Sequence, residues 1–366
     1  MEMADLNVLD RLETVKRLDR FDMLGKLKEA PRYIPDALTR LSQIELKAYG
    51  LKYDSVVIGG LGGSAIGGDV LRDWLSSEID VPIVVNRGYG LPAFVGERTL
   101  LVAVSYSGNT FETLNQFDEA LKRRCAVYAV TSGGELEKKC LSYDVPLLKV
   151  PAGLPPRIAL PYLFASLAYV MWLEDLITGL TELRKASQAM EKLDGRIGFH
   201  VPSESNPCKR LALSLKGKVP VILGLDRFSS VARRFKTQLN ENCKVQARYE
   251  LIPELCHNEV ESFKPTGLTQ TSMDSESAYL LMRSKVESEV ESTAFETLKE
   301  TLKRMGIKDV YEIWGVGGVL ESILTTIYTV DYLTYYMAIL REVDPTPVEI
   351  IEAFKASFKK RLPGKP

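Results

Sequence analysis

The stretch SVVIGGLGGSAIGGDVL, from Ser55 to Leu71, joins an apolar strand to a helical pattern through a glycine-rich turn. Six of its residues are glycines, and it carries the hydroxyl of Ser64 but no cation. Glycine lets the backbone approach a ligand closely, and the first N–H groups of a helix have no partner within it. Strand, turn and helix in this order predict the first unit of a parallel α/β sheet, with an anion site at the turn. Residues Gly60–Ser64 are called the glycine loop below.

The alternation of apolar strand and helix continues from this stretch to Val150. The runs VPIVVNRG, TLLVAVSYSG, CAVYAVTSGG and VPLLKVPAG are continuous apolar strands, as in sheets that helices cover on both faces. A second series follows the proline-containing segment Val201–Cys208, with KVPVILGL, VQARYELIP, SAYLLMRS and DVYEIWGVG as strands. The sequence therefore predicts an α/β fold of two doubly wound lobes, each a parallel sheet flanked by helices, with further helices at both termini.

The two predicted lobes differ at the turn after their first strand. Where the first lobe has glycines, the second has Asp226 and Arg227, so only the first turn offers bare backbone to an anion. We expect Ser229 and Ser230, which follow that turn, to cap the next helix. The predicted order is a helical segment at 1–50, the first lobe at 51–155, connecting helices at 156–205, the second lobe at 206–320 and C-terminal helices at 321–366.

The composition of the 366-residue chain excludes several classes of function. With 47 basic and 48 acidic residues the formal net charge is −1, so no global field attracts nucleic acid or an anionic membrane. Two long apolar stretches, Ile158–Ile177 and Gly318–Leu340, contain acidic residues, which favours buried helices over membrane spans. Five cysteines without C-x-x-C spacing predict reduced thiols in a cytoplasmic protein, and two histidines disfavour a zinc site.

A second loop, SYSGNTFET, also follows an apolar strand and opens a helix. It brings four hydrogen-bonding side chains into one turn, those of Ser105, Ser107, Asn109 and Thr110. We call residues Ser105–Thr110 the hydroxyl loop. Because ligands of α/β sheets bind at the carboxyl ends of the strands, two helix starts at this edge predict a phosphate site that needs no lysine.

Three other interpretations of these loops remain open. The glycine loop could be only a tight turn, and the hydroxyl loop could be only a helix cap. The pattern Gly60–Gly62–Ala65 also fits a loose dinucleotide-binding motif. A dinucleotide site needs an acid at the end of the next strand for the ribose, whereas this chain has Asn86 and Arg87 there. That interpretation also leaves the hydroxyl loop without a role.

Several motifs resemble one enzyme family. GLGGSAIGGD and SYSGNTFET resemble the two phosphosugar-binding loops of the SIS (sugar isomerase) fold. FKTQLNENCK, PELCHNEVES and REVDPTPVEIIEAFK resemble segments of the bifunctional phosphoglucose/phosphomannose isomerases of archaea and some bacteria. The resemblance runs from about Ser55 to Lys355. It implies a homodimer without a cofactor or metal that interconverts glucose 6-phosphate, and mannose 6-phosphate, with fructose 6-phosphate through a cis-enediolate.

The resemblance also implies a role for individual residues. Glu241 is expected to carry the proton between the two carbons, and His257 to open the sugar ring from the neighbouring subunit. Arg157 is expected to face the enediolate oxygens. Lys355 matches the C-terminal active-site lysine, although Lys359 and Lys360 are close in sequence. Thr346 is expected to leave room for both epimers at C2. The residues expected to bind the phosphate are Gly62, Gly63, Ser64, Ser105, Ser107 and Thr110.

Two functions compete with isomerisation at this stage. A phosphosugar sensor would share both loops but would need neither Glu241 nor His257. A nicotinamide-dependent oxidoreductase would use the glycine loop for a dinucleotide. The sequence leaves open the relative activity on glucose and mannose substrates, and the roles of the N-terminal helix and of the polar loop at 264–277.

Overall fold

A computed structural model describes residues 8–264 and 276–361. Two helices come first, α1 (Leu12–Leu18) and α2 (Met23–Leu41). The first sheet has the strands β1 (Ser55–Gly59), β2 (Ile83–Asn86), β3 (Thr99–Val104), β4 (Ala126–Thr131) and β5 (Leu147–Lys149). Its order is β2-β1-β3-β4-β5, and all neighbouring pairs are parallel. The helices that accompany it are α3 (Gly63–Leu75), α4 (Phe111–Lys122) and α5 (Gly134–Tyr143).

Three helices connect the two sheets: α6 (Leu160–Leu173), α7 (Thr181–Ile197) and α8 (Pro207–Ser214). Helix α6 is apolar on every side, and its residues 160–171 are all buried. A helix without a polar face has to lie inside the protein or in lipid. Within residues 8–264 and 276–361, no helix combines the length and apolarity that crossing a membrane requires.

The second sheet has four strands, β6 (Val219–Leu225), β7 (Arg248–Ile252), β8 (Ser277–Ser284) and β9 (Val310–Gly315). They are parallel in the order β7-β6-β8-β9. The remaining helices are α9 (Ser229–Glu241), α10 (Glu289–Arg304), α11 (Val319–Leu340) and α12 (Glu349–Arg361). The predicted class of two parallel α/β sheets flanked by helices is confirmed. The domain boundaries stay predictions, and most of the polar loop at 264–277 lies outside the described residues.

Helices α3 and α9, one from each lobe, pack against each other. At the start of α9 the N–H of Ser230 donates to Asp73 Oδ2 of α3 at 2.6 Å. The Ser229 hydroxyl accepts from Arg72 Nη2, also at 2.6 Å. The prediction that the two serines cap α9 is therefore wrong, because a carboxylate from the other lobe takes the capping position.

Candidate active site

The glycine loop and the hydroxyl loop meet at one edge of the first sheet. They follow β1 and β3, which are adjacent and parallel, with Gly59 opposite Ala103. The backbone N–H of Tyr106 in the hydroxyl loop donates to Ser64 Oγ in the glycine loop at 3.1 Å. The phenol of Tyr106 in turn donates to the Pro151 carbonyl at 2.9 Å. The two loops therefore form one unit, which is joined to the chain leading towards Arg157.

The hydroxyl groups of this unit do not serve as helix caps. Gly62 and Thr110 are the N-cap residues of α3 and α4, and neither makes a side-chain capping bond. The Ser105 hydroxyl is buried and donates to Thr110 Oγ1 at 2.9 Å, while Ser107 is exposed. Helix starts without a cap concentrate partial positive charge. Two such starts beside exposed and half-exposed hydroxyls favour an anion site over the simple capping interpretation.

Glycine is required at Gly108 and fits closely at Gly63. Gly108 has φ +67°, and a Cβ there would lie 1.7 Å from the Gly133 carbonyl oxygen. A Cβ on Gly63 would lie 3.0 Å from the carbonyl carbon and oxygen of Pro156 and 3.1 Å from the Arg157 nitrogen. The absence of a side chain at Gly63 thus lets the glycine loop lie directly against the backbone that carries Arg157.

Arg157 is buried and contacts Glu241 and the C-terminal segment. Its Nη1 lies 3.4 Å from Glu241 Oε2, and its Nε donates to Asn242 Oδ1 at 2.8 Å. Its Nη2 donates to the carbonyls of Pro345 at 2.7 Å and Thr346 at 2.8 Å. Burial lowers the pKa of the Arg157 guanidinium, whereas the charge of Glu241 opposes that shift. The result is a cation held in one orientation beside a carboxylate whose side chain is 23% exposed.

A further layer of buried polar groups fixes Arg157, and most of this layer could not be recognised from the sequence. Arg234 donates to the Arg157 carbonyl at 2.7 Å and forms a buried ion pair with Asp331 at 2.9 Å. Asn242 donates to Thr334 Oγ1 at 3.0 Å. The available signals were the acid within the apolar helix α11 and the asparagine next to Glu241. Neither signal identifies its partner.

The structure also brings Thr346 to this site. Its carbonyl accepts from Arg157, and its hydroxyl oxygen is buried without a hydrogen-bond partner among the described residues. Lys244, just after α9, donates to the Glu241 carbonyl at 2.5 Å and to the Pro347 carbonyl at 2.7 Å. Burial and the charge of Arg157 lower the pKa of Lys244. Arg157, Glu241 and Thr346 are thus gathered at one place.

His257 and Lys355 are not joined to this group by any contact in the described part of the chain. His257 ends a short 3-10 turn, Glu254–His257, that follows the edge strand β7, and its side chain is exposed. Lys355 lies on α12 and is also exposed, as are Lys359 and Lys360. The expected roles of His257 and Lys355 in the site therefore stay predictions.

In the second lobe the protein itself fills the equivalent turn. Arg227 donates to Glu291 from Nε at 2.5 Å and from Nη2 at 2.8 Å. The same Nη2 donates to the Val286 carbonyl at 2.8 Å. Since an arginine and its partner carboxylate occupy the place where the first lobe leaves backbone open, the first lobe is the better candidate for phosphate.

The chain is similar to known proteins along most of its length. A family model described as "Bacterial phospho-glucose isomerase C-terminal SIS domain" matches residues 204–358. A bifunctional phosphoglucose/phosphomannose isomerase from Caldicellulosiruptor bescii is 34% identical over 341 residues, which cover 91% of this chain and 98% of that protein. A D-glucosamine-6-phosphate 4-epimerase from Sulfolobus acidocaldarius is 33% identical over 205 residues, covering 56% of this chain and 62% of that protein.

Solved structures share the fold at lower sequence identity. The crystal structure of a glucose-6-phosphate isomerase like protein from Thermus thermophilus has a TM-score of 0.62 at 20% identity. The superposition covers 95% of this chain and 98% of that one. At this identity the likeness shows that the two proteins share a fold.

Proposed function

The chain belongs to the family of bifunctional phosphoglucose/phosphomannose isomerases, as its motifs indicated, and we propose that it interconverts glucose 6-phosphate and mannose 6-phosphate with fructose 6-phosphate. The observation that carries this proposal is the Arg157–Glu241 pair, held against the glycine loop through Gly63. A phosphate site alone would suit a sensor. A fixed carboxylate and cation next to that site are what a proton transfer between neighbouring carbons needs.

The proposed reaction begins with the phosphate. The backbone of Gly62 and Gly63 and the hydroxyls of Ser64, Ser107 and Thr110 hold it at the two helix starts, and Ser105 orients the Thr110 hydroxyl by donating to it. Holding this remote group fixes C1 and C2 of the open-chain sugar beside Glu241, which removes much of the entropic barrier.

Glu241 then takes the proton from C2 of the aldose, and the electron pair of the C–H bond forms the C1–C2 double bond of a cis-enediolate. Negative charge develops on the oxygen at C1, where Arg157 stabilises it. The proton of the C2 hydroxyl then moves to the oxygen at C1, which leaves the negative charge on the oxygen at C2. Glu241 returns the abstracted proton to C1, where the electron pair of the C1–C2 double bond forms the new C–H bond, and the charge on the oxygen at C2 forms the C=O bond of the ketone. The same steps in reverse, on either face of C2, yield the glucose or the mannose epimer. In this scheme Thr346 lines the space in which the C2 hydroxyl takes either orientation.

We also propose a homodimer in which the partner's His257 opens the sugar ring. The support is that the imidazole is exposed after an edge strand and, among the described residues, makes no contact with the Glu241 carboxylate of its own chain. Imidazole transfers protons near neutral pH. All five cysteines are free thiols, which supports the proposed cytoplasmic location.

A coupled assay tests the function. Purified protein in EDTA is given fructose 6-phosphate, and glucose 6-phosphate and mannose 6-phosphate are measured separately by specific dehydrogenase coupling. We expect both products. Binding without either product would support a sensor, and a saturable fluorescence change with NAD(P) would support an oxidoreductase. The protein is also given glucosamine 6-phosphate. Conversion of that compound and not of fructose 6-phosphate would support the activity for which the epimerase among its relatives is named.

A further inference from the structure

The C-terminal segment Asp344–Arg361, called the C-terminal strap, is anchored at one end beside Glu241. Arg157 and Lys244 donate to three consecutive carbonyls at its beginning, those of Pro345, Thr346 and Pro347. The Asp344 carboxylate accepts from Arg20 Nε at 2.9 Å. The first residues of the strap are therefore held beside the proposed catalytic group by hydrogen bonds from two side chains to the carbonyls of the strap.

The other end of the strap lies against the first lobe. The ring of Phe358 is 6.3 Å from that of Tyr89 and 6.1 Å from that of Phe111, measured between centroids. Phe111 is the first residue of α4, directly after the hydroxyl loop, and Tyr89 follows β2. Aromatic pairs at these separations attract each other beyond simple burial. The strap thus extends from Glu241 to the side of the phosphate loops.

Between its two ends the strap is held by little else. Helix α12 has no buried residue, and Ile350 and Phe354 are 87% and 70% exposed. A helix of this length is marginal on its own in water, and segments with few buried contacts open at low cost. Because the strap is held firmly beside Glu241 and only weakly at Phe358, we expect it to open at the Phe358 end.

The spacing and charge of the side chains on α12 indicate which groups the strap would bring to a bound phosphate. Lys355 precedes Phe358 by three residues, so both side chains lie on one face of α12. The helix carries two acids and four basic residues, Lys355, Lys359, Lys360 and Arg361, of which three are in its last turn. A phosphate dianion at the hydroxyl loop would attract this end of the helix.

We propose that the C-terminal strap closes over the bound phosphosugar, and that Phe358 is a positioning residue that acts through Lys355. This inference rests on the proposed function. In the closed state the rings of Tyr89 and Phe111 hold Phe358, and Lys355 on the same helix face is thereby directed towards the sugar phosphate. Substrate enters and product leaves when this aromatic contact opens.

Steady-state kinetics with matched variants test the proposal. Phe358→Ala should raise KM for fructose 6-phosphate about tenfold with kcat within about threefold, because the variant weakens closure rather than the chemistry. Ile350→Ala, at an 87% exposed position on the same helix, is the control and should leave KM within about twofold. Phe358→Tyr, which keeps the aromatic ring, should have the KM of the wild type. Tyr89→Ala removes the partner ring on the first lobe and should raise KM as much as Phe358→Ala does.

Two further measurements separate positioning from general structural damage. Phe358→Ala combined with Lys355→Ala should raise KM no further than Lys355→Ala alone, since residues that act as a unit are not additive. Trypsin cleavage after the basic residues of α12 should be slowed about fivefold or more by fructose 6-phosphate in the wild type, but not in Phe358→Ala.

The outcomes distinguish this inference from the proposed function. Wild-type protein that forms neither aldose phosphate would overturn the function itself. An active wild type in which Phe358→Ala equals Ile350→Ala in KM and in ligand protection would overturn the strap while the function stands. Additive effects of Phe358→Ala and Lys355→Ala would overturn the positioning role.

Discussion

Arg157 and Glu241 are separated by 84 positions in the sequence, yet Nη1 of the arginine lies 3.4 Å from Oε2 of the glutamate. The arginine is 2% exposed, and three other acceptors fix its remaining nitrogens. The carboxylate therefore faces a cation that cannot turn away. An oriented cation of this kind stabilises charge that develops on a substrate oxygen without reorganising during the reaction.

Arg157→Lys should damage both stability and catalysis. A lysine ammonium cannot reach four acceptors arranged around a planar fork, so buried carbonyls of the C-terminal strap lose their donors. We expect a loss of about 2–4 kcal/mol in the free energy of unfolding by urea, with a fall in kcat of at least about tenfold. Arg32→Lys, at an exposed arginine paired with Glu29, is the control and should change neither quantity. Full activity in Arg157→Lys would contradict the proposed oxyanion role.

Removing two hydroxyls of the hydroxyl loop should weaken substrate binding. Ser107→Ala with Thr110→Ala deletes two donors proposed for a dianion, and such bonds are worth about 1.5–3 kcal/mol each. KM for fructose 6-phosphate should rise at least about a hundredfold by the coupled assay. Ser142→Ala, which removes an exposed hydroxyl on α5, serves as the control. An unchanged KM in the double variant would place the phosphate elsewhere.

A methyl group at Gly63 should separate the glycine loop from Arg157. Its Cβ would meet the Pro156 carbonyl at 3.0 Å, so either the loop or the proline segment has to shift. We expect Gly63→Ala to lower kcat/KM at least about tenfold, since small misplacements of reacting groups are costly. Gly96→Ala is the matched control, because a Cβ there meets nothing within 4 Å. Equal kinetics for the two variants would show that this close contact has no part in catalysis.

The contact between Asp73 and α9 should give stability an unusual dependence on pH. Burial raises the pKa of Asp73 to about 6, although Arg72 and Ser230 oppose the shift. Because this folded-state pKa exceeds the unfolded value of 3.8, the native state takes up the proton first as pH falls. The contribution is present in full below the unfolded pKa and is lost as pH rises through about 6.

Urea unfolding of the wild type and Asp73→Asn measures this contribution. Between pH 7 and pH 4 the wild type should gain about 2 kcal/mol relative to the variant, because the shift of about two pKa units is worth about 3 kcal/mol in full and is reached completely only below the unfolded pKa. A difference between the two proteins that stays constant with pH, or that changes in the opposite direction, would contradict the assigned pKa shift.

The fold and the meeting of the glycine and hydroxyl loops at one sheet edge could be predicted because their signals are local. Continuous apolar strands alternating with helices specify parallel sheets, and the glycine and hydroxyl loops each lie between one strand and the next helix. At Gly108 and Gly63 a Cβ would meet neighbouring backbone, a constraint that the sequence alone does not reveal. The class of protein followed from motifs rather than from physical chemistry.

The arrangement around Arg157 could not be predicted in the same way. Its contacts to Pro345 and Thr346 join residues 188 and 189 positions apart, and the ion pair of Arg234 with Asp331 spans 97. Such pairings depend on how the two lobes pack against each other. Local residue patterns along the chain do not reveal that packing. The same reason explains the wrong prediction for Ser229 and Ser230, since Arg72 contacts the first and Asp73 the second from the other lobe.

Glu241→Gln tests the central claim most directly, with fructose 6-phosphate binding measured by calorimetry and turnover measured by the coupled assay on one preparation. The amide keeps the size of the side chain but cannot accept the proton, so kcat should fall about a thousandfold or more. The dissociation constant should stay within about threefold, because the phosphate loops are intact. Glu300→Gln, an exposed position on α10, should match the wild type in both measurements. Full turnover in Glu241→Gln would contradict the account.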